Sequence, residues 1–149
     1  MQSKERYFVL PNQSINAIPR DVENIYFCGY GKGEDMTVLN FSSFGFNQLR
    51  SITIGNECFK KVREFVLDGL ERLESVKIGE KCFRISDRGK RIDGVCRITN
   101  CPNLRQLEIG YRSFEDFNQF ELSNVNSLQS ITFGGSCFNY AKNCILKGE

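Results

Sequence analysis

The chain contains no histidine, no Cys-x-x-Cys pair and no apolar run long enough to cross a bilayer. Each absence closes off some chemistry. Without histidine there is no Ser–His or Cys–His pair to activate a nucleophile. Without paired cysteines the spacing of a zinc knuckle is missing. A membrane-spanning helix needs about 20 consecutive apolar residues, so no membrane insertion is expected. The start, MQSKERYFVL, lacks both the long apolar segment and the small-residue cleavage site of a signal peptide. Charge imbalance is lacking too: 20 basic and 18 acidic groups leave +2. So small a charge steers polyanions weakly, and no nucleic-acid partner is expected.

What is present suits one globular domain. The 149 residues are 40% hydrophobic and 26% charged, ordinary proportions in a chain long enough to bury a core unaided. Seven cysteines are many, and an odd number leaves at least one unpaired. Reduced, buried thiols fit this best and favour a cytoplasmic setting.

A pattern organises the rest. Leu49 opens LRSITIGNECF and Leu73, 24 residues on, opens LESVKIGEKCF. The pattern returns at Leu104 (LRQLEIGYRSF) and, after another 24, at Leu128 (LQSITFGGSCF). Such a period lies in the range of coil-forming arrays. The step from Leu73 to Leu104 is 31, so that coil carries seven extra residues. In each coil two apolar residues stand two apart, as Ile52 and Ile54 or Leu107 and Ile109 do, which is strand periodicity. A second run follows, for example Val62, Phe65 and Leu67, or Phe117, Phe120 and Leu122. Two short runs per coil predict two parallel sheets facing each other across one apolar core. Too few residues separate the runs for a helical crossover, so little or no helix is expected. Glycine closes the first strand at Gly55, Gly79, Gly110 and Gly134, for positive φ or for close backbone approach. Cys58, Cys82, Ser113 and Cys137 share the next inward corner, each followed by phenylalanine.

The motif LxxLxI-G-xx-CF with its second VxxFxL run resembles the leucine-rich repeat family, in particular the divergent bacterial and protist surface type (BspA-like). The resemblance covers residues 22 to 149. It implies an all-β, right-handed leucine-rich-repeat solenoid with two parallel sheets and about five coils of roughly 24 residues. Residues 1–21 are expected to cap it, and 22–149 to form the solenoid with a longer coil at 73–103. The implied function is a non-catalytic protein–protein interaction module of leucine-rich-repeat type. The alternatives are a structural or self-associating subunit joined through its open C-terminal coil, and an unrecognised enzyme.

No acid, base and nucleophile set can be assembled, so no catalytic residue, metal ligand or cofactor is expected. Asp35, Asp68, Asp87, Asp93 and Asp116 read as solvated corner residues. Gly29-Tyr30-Gly31-Lys32-Gly33 reads as a flexible corner, since it lacks the order of a phosphate loop. Candidate partner-binding residues are Tyr26, Thr53, Lys77 and Glu108 on the outward face of the first sheet, with Arg88, Lys90 and Arg91 on the long coil. The expected partner is another protein. A homodimer through the C-terminal coil is a further expectation, because the last strands would otherwise leave an apolar edge uncovered.

Overall fold

The structure, a computed structural model, describes residues 5–9, 14–27, 36–84, 93–138 and 143–147. Among the described residues eleven strands form two sheets, and from β2 onward successive strands alternate between them. Sheet A holds β1 (Tyr7–Val9), β2 (Asn24–Phe27), β4 (Ser51–Ile54), β6 (Ser75–Ile78), β8 (Gln106–Ile109) and β10 (Ser130–Phe133), side by side in that order. Sheet B holds β3 (Val38–Asn40), β5 (Glu64–Asp68), β7 (Val95–Thr99), β9 (Gln119–Ser123) and β11 (Asn143–Lys147). Every pairing is parallel, as Ser130 opposite Gln106 and Gln106 opposite Ser75 illustrate. Among the described residues helix is confined to two 3-10 turns, Ile15–Ala17 and Phe41–Phe44.

This architecture corrects the expected leucine-rich-repeat solenoid, and the repeat and solenoid descriptions go with it. In a leucine-rich-repeat horseshoe a strand sheet lines one side and bulkier elements fill the other. Strands sit about 4.8 Å apart, whereas packed helices need about 8–10 Å. That mismatch is what curves a horseshoe. Here the side opposite sheet A is itself a sheet with strand spacing, so the source of the curvature is missing. Two separate parallel sheets with long-range pairing result, and the leucine-rich-repeat interaction module loses its structural basis.

The strands form where apolar residues alternate, because alternate side chains of a pleat point to one side. Ile52, Ile54, Val76, Ile78, Leu107 and Ile109 of sheet A meet Phe65, Leu67, Cys96, Ile98, Phe120 and Leu122 of sheet B in one buried cluster. Gly79, Gly110 and Gly134 after the sheet A strands are there for close approach, not for positive φ. A Cβ on Gly110 would lie 2.5 Å from the Gly79 carbonyl oxygen, and one on Gly134 would lie 2.5 Å from the Tyr111 nitrogen. Backbone stacks directly on backbone at this corner.

The corner continues with an unusual conformation. Phe59, Phe83, Phe114 and Phe138 all have positive φ, between 51° and 58°. For a bulky side chain this costs about 1–2 kcal/mol. Burying a phenylalanine returns about 1.5–3 kcal/mol, and ring pairing adds about 0.5–1.5 kcal/mol. The left-handed turn swings each ring inward onto the next. Centroids lie 5.5 Å apart for Phe59–Phe83, 4.5 Å for Phe83–Phe114 and 5.1 Å for Phe114–Phe138, with planes within 17°.

Candidate interaction edge

β10 is the edge of sheet A. It pairs with β8 on one side and meets no strand on the other among the described residues. Its inward residues, Ile131 and Phe133, stand in register with Leu107 and Ile109. Those two are 0% and 2% exposed, while Ile131 and Phe133 are 46% and 44% exposed. The positions are equivalent and the side chains equally apolar, so the difference measures what a covering strand removes from water. Phe133 packs edge-on against Phe120 of the other sheet at 5.7 Å, and Phe138 ends the ring stack half-buried. Exposed Tyr111 lies beside Gly135, with the Arg112 guanidinium 5.2 Å from its ring centre.

The edge is also free of charge. From Leu128 to Phe138 the sequence LQSITFGGSCF carries no acidic or basic residue. On the strands just inside, the outward position of Thr132 is taken by Glu108 and then Lys77. Charges on an edge strand discourage strand addition, and this edge has none.

The candidate residues expected on the outward face of sheet A are brought into one row. Tyr26 pairs with Thr53, Thr53 with Lys77 and Lys77 with Glu108. Tyr26 stacks on Phe8 at 4.9 Å. Lys77 Nζ reaches Glu108 Oε2 at 4.0 Å, with both side chains more than half exposed, an ion pair worth little. Arg88, Lys90 and Arg91 lie outside the described residues, as does the glycine-rich corner Gly29–Gly33.

The corners hold polar chemistry that the sequence reading misjudged or missed. Asp116 is buried rather than solvated. Burial raises its carboxyl pKa, the neighbouring Glu115 raises it further, and Arg84 acts in the opposite direction. Arg84 Nε donates to Glu115 Oε1 at 2.8 Å, and Arg112 Nε lies 3.6 Å from the other oxygen of that carboxylate. Asp68 is exposed, as a solvated residue should be, but it is also hydrogen-bonded to the neighbouring corner. It accepts from Thr99 Oγ1 at 2.7 Å and from Asn100 Nδ2 at 2.8 Å, and Asn124 Nδ2 donates in turn to Asn100 Oδ1 at 2.8 Å. Gly69, Asn100 and Asn124 follow their strands with positive φ, which glycine and asparagine tolerate best. The visible sequence signal was this Gly or Asn one place before Leu70, Cys101 and Val125.

The inward row of thiols is locked to backbone. Cys82 Sγ donates to the Gly55 oxygen at 2.9 Å and Cys137 Sγ to the Gly110 oxygen at 3.0 Å. Ser113 Oγ makes the same bond, to the Gly79 oxygen at 2.6 Å. The Cys82 thiol is held strongly protonated by its hydrogen bond with Cys58 and by burial. Burial also pushes Cys96 up, and pushes Cys101 up to about 11. Nucleophilic thiols need the opposite shift. No group of acidic or cysteine side chains among the described residues is arranged to hold a metal ion. No helix of the described residues is long and apolar enough to cross a membrane.

Comparison with known proteins finds no matching family model, no matching curated protein and no matching solved structure. The resemblance to leucine-rich repeats therefore rests on a short motif, and the two-sheet architecture overturns it.

Proposed function

We propose that the chain is a non-catalytic assembly protein that docks another protein along the β10 edge. The observation that carries this is the exposure of Ile131 and Phe133 on an uncharged edge strand, at positions that are buried one strand further in. Adding a strand satisfies backbone groups along the edge and buries those two side chains at once, which is how exposed sheet edges capture partners. The near-neutral charge speaks against a nucleic-acid partner. Three buried thiols without disulfide partners, at Cys82, Cys96 and Cys101, support a reducing, cytoplasmic setting.

The test is cross-linking in the native host followed by mass spectrometry, for the wild type and an Ile131→Asp/Phe133→Asp chain. Circular dichroism first checks that both are folded. The wild type is expected to cross-link a protein at residues 128–138, and the double variant to lose it. A variant chain that holds the same contacts at that edge would overturn the reading.

A further inference from the structure

The occupant of the edge can be derived from the edge itself. Whatever covers β10 must bring two apolar side chains two residues apart, pointing toward the core, with a small uncharged residue between them facing out. β10 meets that description: Ile131 and Phe133 point in and Thr132 points out, in register with the buried Leu107 and Ile109 and the exposed Glu108. We infer that the protein forms a symmetric dimer in which β10 pairs antiparallel with β10 of a second copy, about a two-fold axis passing through Thr132. This rests on the edge-docking reading and names its partner.

The register follows from the pleat. Directly opposed residues of an antiparallel pair point to the same side of the sheet. An axis through Thr132 places Thr132 opposite its own copy on the outward side. It places Ile131 opposite Phe133 of the copy, twice, on the inward side. Both pairs are favoured cross-strand combinations: a β-branched residue with an aromatic one, and threonine with threonine. An axis between Ile131 and Thr132 would set inward against outward residues and is excluded by the pleat. An axis through Ile131 would spend Phe133 on Gln129.

Charge agrees with this choice. A symmetric contact sets the edge against its own copy, so an edge carrying charge of one sign would repel itself. The stretch from Leu128 to Phe138 has no charge to repel. The contact is also closed, since one two-fold uses the β10 edges of both copies at once.

Two variants read the geometry. Thr132→Cys places two thiols at the two-fold, where facing Cβ atoms of an antiparallel pair lie about 4.5–5.5 Å apart. Under oxidised glutathione it should yield a covalent dimer at least tenfold faster than Ser130→Cys, which the axis places away from its copy. Ile131→Lys, half-exposed and therefore tolerated by the fold, should raise the dimer dissociation constant at least tenfold in sedimentation equilibrium. A monomer at all concentrations, or equal cross-linking at both cysteine positions, overturns the dimer. If such a monomer still cross-links a different protein at residues 128–138 in the native host, the edge-docking reading stands and only the second copy is wrong. If Ile131→Lys leaves both self-association and host contacts unchanged, both readings fail.

Discussion

The two ends of the stacked core are built from similar residues and finished differently. At the N-terminal end the ring stack turns edge-on: Phe27 meets Phe59 at 5.2 Å with planes at 81°, and Phe41 and Phe46 continue outward from it. All three are buried, and Arg20 lies over the Phe46 ring at 4.8 Å. β1 adds Val9, fully buried, beside β2. At the C-terminal end the rings Phe114 and Phe138 stay stacked and face-on, and Phe133 is left half in water. Edge-on contacts occur at both ends, since Phe133 meets Phe120 at 79° and Phe138 at 62°. What differs is cover: β1 and Arg20 lie over the first end, while Ile131 and Phe133 stay exposed at the second. The contrast shows that an apolar core alone does not set where stacking stops; an added cover does.

The largest expected effect tests that contrast directly. Phe41→Ala at the closed end should cost about 3–5 kcal/mol, the usual penalty for emptying a buried aromatic site. Phe133→Ala at the open end should cost about 1–2 kcal/mol, since much of its surface is exposed already. Urea unfolding at low protein concentration measures both. Equal losses would break the comparison.

A smaller effect sharpens it at the backbone. Gly110→Ala forces a Cβ against the Gly79 carbonyl between two inner strands and should cost about 2–3 kcal/mol as overpacking. Gly134→Ala makes a similarly close contact with the Tyr111 backbone. β10, however, is paired on one side among the described residues and can shift, so about 1 kcal/mol is expected. Thermal melting ranks the two; a larger loss at Gly134 would place the rigid end on the wrong side.

How much of this was legible beforehand depends on the residue. The alternation of Leu107 and Ile109 marks a strand because a period of two suits no helix. The second runs, such as Phe65 with Leu67 and Phe120 with Leu122, marked the strands of the opposite sheet, and the resemblance carried by LxxLxI did not show that β5, β7 and β9 there leave no source of horseshoe curvature. Nothing in Cys-Phe announces a left-handed phenylalanine, because the turn is stabilised by rings many residues away. The chain from Asp68 through Asn100 to Asn124 was hidden by the longer coil, which breaks the spacing. Exposure at Ile131 and Phe133 could not be read from the pattern, because they repeat the apolar positions of Leu107 and Ile109, which are buried.

The smallest expected effect is electrostatic and belongs to the connection between β8 and β9. Asp116 is the buried carboxylate among the described residues, and its pKa is raised above 3.8. The folded chain thus keeps this proton at a pH where the unfolded chain has released it. Stability contributed here is present below the unfolded value and falls as pH rises toward the raised folded value. Asp116→Asn removes that dependence. The stability of the wild type relative to the variant should therefore decline as pH rises from about 3.8 and level off above the folded value. Melts from acid to neutral pH check the sign, and a relative gain with rising pH would refute it.

The left-handed phenylalanines also set the order in which the molecule comes apart. Each such corner is strained on its own and is held by rings above and below, so a corner that loses one neighbour loses part of its reason to stay turned. Phe59 and Phe138 each have one stacked ring where Phe83 and Phe114 have two, but Phe59 is fully buried against Phe27 and Phe138 is half-buried. Opening thus begins at Phe138 and advances toward Phe59, as a zip fastener runs from its free end. Amide hydrogen exchange along the chain would record this as protection rising from β10 through β8 and β6 to β4. A molecule clasped at β10 by a second copy would lose the gradient altogether.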